Sequence, residues 1–248
     1  MRRTLIAAAA TAAAALAPAS PAAAITNGSP DGNGHPNVGG LVAATPYSDG
    51  TSIYCSGTLI SPTVFLTAAH CAEGDRVRVT FDSAYQIGDT TYDGTFHADP
   101  AYNQSQSDPH DIAVVVLEKA VKGITPAALP TAGSLSDLSG SQQFTSVGYG
   151  AYAVTSGPHQ YLYNDVRDVA VGTLNSINPS WLRISMNAAH GDGGTCYGDS
   201  GGPNFLGTSN TVAATTITGD TPCKSTNVDY RLDTASARAF LAPYVTLP

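Results

Sequence analysis

From residue 25 onward the apolar positions never settle into the i, i+3, i+4 rhythm of a long helix. Short runs rich in β-branched and aromatic residues recur instead, broken by Gly, Pro, Asn and Asp. They are Gly40–Ala44, Thr58–Ile60, Val64–Thr67, Val77–Phe81 and Ile112–Leu117, then Phe144–Tyr149, Asp165–Val171, Leu182–Ser185 and Val212–Ile217. Such spacing predicts an all-β barrel or sandwich. Val77-Arg78-Val79-Thr80-Phe81 alternates apolar with polar, as a half-buried strand does. Ile112 to Leu117 is continuously apolar, which suits a strand covered on both faces. Gly123 to Gly140, rich in Pro, Ala and Ser, reads as a connector between two halves. A short C-terminal helix is expected from Asp233 or Thr234 as cap through Ala242, stopped by Pro243.

The first residues follow a different logic. Met1-Arg2-Arg3 is a positive start, Leu5 to Ala17 is apolar, and Ala22-Ala23-Ala24 fits a small-residue cleavage pattern, so 1–24 reads as an export signal. The apolar run is too short to span a bilayer, and no membrane association is expected once it is removed. A competing site, Ala17-Pro18-Ala19, would leave Ser20 to Ala24 to be trimmed. Lys and Arg number 11 against 19 Asp and Glu, for a formal charge of -8. Nucleic acid is therefore excluded as a partner class, since an acidic chain offers no counterion release against phosphate. An exported chain with four cysteines is expected to form two disulfides. Three pairings are open, of which Cys55 with Cys71 and Cys196 with Cys223 is the local choice. Zinc-ligand spacing is absent, and neither metal nor cofactor is expected. The Asp residues between Asp82 and Asp93 read as an ordinary hairpin rather than a cation loop.

Three local patterns carry chemistry. Leu66-Thr67-Ala68-Ala69-His70-Cys71 places a histidine just beyond a strand and beside a cysteine. Asp111 opens the buried run Ile112 to Leu117, where a carboxylate can face an imidazole. Gly198-Asp199-Ser200-Gly201-Gly202-Pro203 surrounds a serine with residues small enough for the backbone N–H groups of Gly198 and Ser200 to converge on one point. The same stretch satisfies the Gly-x-Ser-x-Gly pattern of lipase-type hydrolases, but those enzymes carry their catalytic histidine after the serine. Here His35, His70, His97, His110, His159 and His190 all precede Ser200, which excludes that reading.

In these motifs and in their order the chain resembles the trypsin/chymotrypsin family of serine proteases. The resemblance implies two six-stranded antiparallel barrels with a cleft between them, about 25–128 and about 129–248. It implies that Ser200 attacks a peptide carbonyl, His70 shuttles the proton and Asp111 orients His70, with Gly198 and Ser200 as oxyanion hole. Protein or peptide substrates, extracellular location and a monomeric enzyme follow as expectations. Ile25-Thr26-Asn27-Gly28 resembles the family's mature start, whose α-amino group would pair with Asp199; Ala24 precedes it in place of a basic residue. Counting from Ser200, Gly194 matches the base of the S1 pocket, Gly219 one wall and Val228 the other. No acidic residue stands at that base, so uncharged or apolar side chains are expected rather than Lys or Arg. The chain departs from the family where Ile217-Thr218-Gly219 stands for Ser-Trp-Gly, where Tyr149 stands for a common Trp, and where Met186 lacks a neighbouring Cys.

Overall fold

A computed structural model describes residues 25–154 and 161–248; the segment 1–24, read as an export signal, and His159 lie outside these. The strands are β1 (Ser29–Pro30), β2 (Val38–Val42), β3 (Ile53–Ser61), β4 (Val64–Thr67), β5 (Arg76–Thr80), β6 (Tyr92–Ala98) and β7 (Ala113–Leu117). They continue as β8 (Gln143–Gly148), β9 (Ala153–Val154), β10 (Tyr161–Leu162), β11 (Asp168–Ile177), β12 (Trp181–Ser185), β13 (Pro203–Leu206), β14 (Val212–Gly219) and β15 (Thr226–Arg231), before helix α1 (Ala235–Leu241).

Strands β2, β3, β4, β7, β6 and β5 close in that order into one antiparallel barrel. Strands β8, β11, β12, β15, β14 and β13 close into a second, because β8 pairs with both β11 and β13. Closure leaves neither barrel with an open edge. The expected fold class is the observed one. In β5, Val77 and Val79 turn inward while Arg78 is half-buried, as the alternation requires. In β7, flanked by β4 and β6, Ala113, Val114, Val115 and Leu117 are buried, as a continuously apolar run requires.

Several strands escape the apolar pattern. β15 reads Thr-Asn-Val-Asp-Tyr-Arg, yet Asn227, Asp229 and Arg231 are all buried. Each has polar partners: Thr195 meets Asn227, Asn204 meets Asp229, and Asp233 receives Arg231 at 2.8 and 2.9 Å. That last pair also decides the helix cap. Asp233 is spent on Arg231, and the Thr234 hydroxyl accepts the Ala237 N–H at 3.2 Å. Ala237 and Leu241, one turn apart, seal α1 against the core.

The barrels share one core. Val38, Leu66 and Val114 of the first meet Val147, Phe205 and Val212 of the second in a single apolar cluster. The stretch 123–140 crosses between them: Ala127 N–H donates to Leu59 at 2.8 Å, and Ala128 N–H to Asn210 at 2.9 Å. A fully buried Arg167 adds a polar tie. It donates to Asp31 at 2.9 Å and to the carbonyls of Gly32, Val38 and Phe81 at 2.9–3.1 Å. Burial pushes the Asp31 carboxyl up, but hydrogen bonds from His35 and Arg167 overcome it and hold the group at about 2. Residues 25–31, counted with the first half on sequence grounds, lie against the second barrel: Thr26 bridges Gly194 and β1 pairs with β11.

Candidate active site

His70 sits in a 3-10 turn, Ala69–Cys71, where the chain leaves β4. The disulfide from Cys71 to Cys55 on β3 fixes that turn to the barrel. Asp111 lies at the entrance of β7, the neighbour of β4, so its carboxylate arrives beside the same turn. One carboxylate oxygen accepts the backbone N–H of His70 at 3.0 Å and the other meets Nδ1 at 2.8 Å. Among the described residues both bonds to Asp111 come from His70. A bond from Nδ1–H to the carboxylate leaves Nε2 as the free base. The Asp111 side chain is 1% exposed and the imidazole 23% exposed, so the charge is sealed while the ring reaches solvent.

His70 and Ser200 line one cleft of about 510 Å³. Beside it the Gly198–Ser200 backbone is fixed on several sides. The Tyr197 carbonyl accepts Ala151 N–H and the Asp199 carbonyl accepts Gly202 N–H, each at 2.8 Å. A planar trans peptide points its N–H opposite to its carbonyl, so both bonds turn the N–H groups of Gly198 and Ser200 the other way. Neither N–H is used in a hydrogen bond among the described residues. Gly198 adopts φ +95°, a conformation that favours glycine. Ser56, to which the sequence reading assigns no role, anchors the loop: its hydroxyl donates to Gly198 at 3.0 Å, and its N–H to the Ser200 carbonyl at 2.8 Å.

Asp199 is wholly buried under this loop. Its oxygens accept Gly150 N–H and Cys196 N–H, each at 2.8 Å. Burial pushes the carboxyl up to about 7; those two hydrogen bonds oppose the rise and the nearby Asp168 adds to it. Only glycine fits opposite: a Cβ at Gly150 would lie 2.5 Å from Asp199 Cγ. The expected partner of Asp199 was Ile25. Ile25 is fully buried, and its backbone nitrogen lies beside the Asp168 carboxyl, a second buried carboxyl near Asp199.

The three positions matched to the S1 pocket separate. Gly219 lines the cleft with His70 and Ser200, whereas Gly194 and Val228 stand apart from its lining. Gly194 is buried; a Cβ there would run into Met186, and its N–H donates to Thr26 at 3.0 Å. Val228 packs toward the shared core rather than the cleft. Thr195 does line the cleft, and its N–H donates at 3.2 Å to the side chain of Asn227. Thr216, also on the wall, donates at 3.2 Å to Asp229, whose carboxyl burial pushes well above the usual range. A second disulfide, Cys196–Cys223, braces this side of the cleft. Cys55, Cys71 and His70 cluster closely enough for a metal, but both sulfurs are committed to a disulfide.

The Trypsin family model matches residues 31–239. The chain is 30% identical to a brachyurin of Leptuca pugilator over 220 residues, covering 77% of this chain and 89% of that protein. It is 32% identical to a trypsin of Phaedon cochleariae over 173 residues, 62% of this chain and 64% of that protein. Among solved structures, one named HL collagenase superposes with a TM-score of 0.69 at 19% identity, covering 90% of this chain and all of that one, which supports the fold. The chain belongs to the trypsin family of serine proteases.

Proposed function

We propose that this chain is an active endopeptidase that hydrolyses peptide bonds through an acyl-enzyme on Ser200. The observation that carries the reading is the shared cleft: His70, backed by sealed Asp111, opens onto the same space as Ser200. In this reading His70 Nε2 takes the Ser200 hydroxyl proton as the oxygen attacks the carbonyl. Nδ1–H stays on the Asp111 carboxylate, which stabilises the imidazolium so formed. The oxyanion that develops is met by the unspent N–H groups of Gly198 and Ser200. His70 then returns the proton to the leaving amine, and water repeats the sequence to free Ser200.

Substrate choice follows from the wall. Thr195, Thr216, Thr218 and Gly219 present hydroxyls and backbone, while the Asp220 carboxylate of the same lining accepts the N–H groups of Lys224, Ser225 and Thr226, and Asp229 behind Thr216 is held by Asn204 and the Thr216 hydroxyl. An S1 site of this kind takes uncharged side chains rather than Lys or Arg. The start at 1–24 is read as an export signal, so the enzyme works outside the cell, as a monomer whose single chain supplies the whole site. Among the described residues no helix is long and apolar enough to cross a membrane. Cleavage of a randomised peptide library by the processed protein tests the reading. Cuts clustered after uncharged residues support it, and strict cleavage after Lys or Arg overturns the pocket assignment.

A further inference from the structure

Asp168, which opens β11, takes no part in the triad, the oxyanion hole or the cleft lining. It is 0% exposed. Neither oxygen has a hydrogen-bond partner among the described residues, and the fully buried Ile25 lies beside it with its backbone nitrogen near enough to act on the Asp168 carboxyl. Across the strand pair its partner is Gly148, and Gly148 in turn lies against the Asp199 carboxylate; a Cβ there would be 3.1 Å from Asp199 Cγ. Two buried carboxylates thus occupy one region. The segment after Ile25 is threaded into the same wall. Gly28 N–H turns back to the Ile25 carbonyl at 2.8 Å, Thr26 bridges Gly194, and Asn27 donates to the Asp192 carbonyl at 3.3 Å.

We propose that Asp168 is a second carboxylate partner of the α-ammonium group that cleavage before Ile25 releases, so that the new N terminus is clamped between Asp168 and Asp199. The proposal rests on the reading of Ile25 as the processed start. Burying an unpaired carboxylate is costly, and a buried pair more so, whereas an ammonium between them offsets both. The surrounding charges leave that position to the N terminus. Arg167, the nearest basic side chain in sequence, is spent on Asp31 and three carbonyls, and Asp31 only adds repulsion at Asp168. Asp192 accepts the Thr173 hydroxyl at 2.8 Å, and Tyr163 beside Asp199 brings no positive charge. Burial, opposed by the Ile25 nitrogen and reinforced by Asp31, pushes Asp168 up to about 7, the response of a carboxyl lacking a cation. A free α-ammonium at Ile25 supplies one.

The test uses processed protein starting at Ile25, as wild type and as Asp168→Asn, with Asp199→Asn for comparison. The α-amino group of isotope-labelled Ile25 is titrated by NMR, and kcat/KM is followed across the alkaline range. A raised α-ammonium pKa keeps the clamp closed below it and opens it as pH rises through it. Asp168→Asn is expected to move both the NMR titration and the alkaline limb down by about one unit or more, the usual effect of removing an opposite charge at contact distance. A folded Asp168→Asn protein with both unmoved overturns the proposal, as does an active protein whose N terminus is not Ile25. Should Asp168→Asn not fold, the carboxyl carbon shift of Asp168 in processed wild type decides: ionised at pH 6 supports the clamp, protonated overturns it. Labelling of Ser200 by a serine-directed inhibitor in the same samples keeps the two readings apart. Labelled Ser200 with an unmoved titration removes the clamp and leaves the protease.

Discussion

Gly150→Ala probes the loop under Ser200 without touching any reacting group. Its added methyl would sit 2.5 Å from Asp199 Cγ and 2.8 Å from Asp199 N, against backbone and a buried carboxylate rather than a flexible side-chain end. Asp199 must move, and its bonds to Gly150 N–H and Cys196 N–H, both 2.8 Å, cannot both survive. A hydrogen bond to a charged group is worth about 1.5–3 kcal/mol, and overpacking of this kind costs about 1–3 kcal/mol. Losing one bond with partial relief of the clash therefore costs about 2–3 kcal/mol, a fall in Tm of about 4–12 °C for a domain of this size. The same movement displaces the Ser200 N–H, because Asp199 and Ser200 share a peptide. Misplacing one oxyanion donor lowers kcat by about 10²–10³-fold with a smaller change in KM. Thermal melts and steady-state kinetics on a peptide ester read both effects. Gly140→Ala is the control, since a methyl there meets nothing within 4 Å. A Gly150→Ala protein with wild-type Tm and kcat would refute the placement of Asp199 against this loop.

Three further outcomes follow from the same geometry. Ser200→Ala removes one hydroxyl of a half-buried residue, so activity is expected to vanish while the unfolding free energy stays within about 0.5 kcal/mol of wild type; an unfolded variant would contradict this. Asp168 and Asp199 are each raised from 3.8 to about 7, so their contribution to stability is full below about pH 4 and is lost as pH rises through about 7. A Ser200→Ala chain that keeps residues 20–24 ahead of Ile25 is thus expected to lose Tm between pH 5 and 8, and the chain starting at Ile25 to lose less; equal slopes count against an ammonium in that site. Replacing Cys196 and Cys223 by Ser opens a loop with a sequence separation of 27, worth about 3.5 kcal/mol in the chain-entropy model. Chemical denaturation measures that loss, and kcat/KM should fall as well, because Cys196 also holds Asp199.

The sequence was most legible where local pattern and environment agree. Ile112 to Leu117 is apolar throughout because β7 is covered on both faces, and Thr234 announces α1 because its hydroxyl bonds, among the described residues, to Ser236 and Ala237 of the helix's first turn. β15 was hidden because its Asn227, Asp229 and Arg231 are buried against polar partners that only the fold brings together. Counting back from Ser200 reached the right neighbourhood at Gly194, but the direction of a missing Cβ depends on Met186 from another element. Val228 lies off the cleft lining for a related reason. Pairing of β15 with β12 and β14 turns Asn227 to Thr195 and Val228 away, and a shift of one residue exchanges the faces of a strand. Asp168 carried no signal at all, since one acidic residue at a strand entrance looks like an ordinary surface position until Ile25 is packed against it.

The proposed function stands or falls on Ser200, served by His70 and Asp111, being a working nucleophile. Incubation of the processed protein with a serine-directed phosphonate, followed by peptide mapping in a mass spectrometer, decides it. Stoichiometric adduct on Ser200, lost in Ser200→Ala and slowed by about 10²-fold or more in His70→Ala, is the predicted result. An intact Ser200 in correctly processed, folded protein, or an adduct on another residue, contradicts the account.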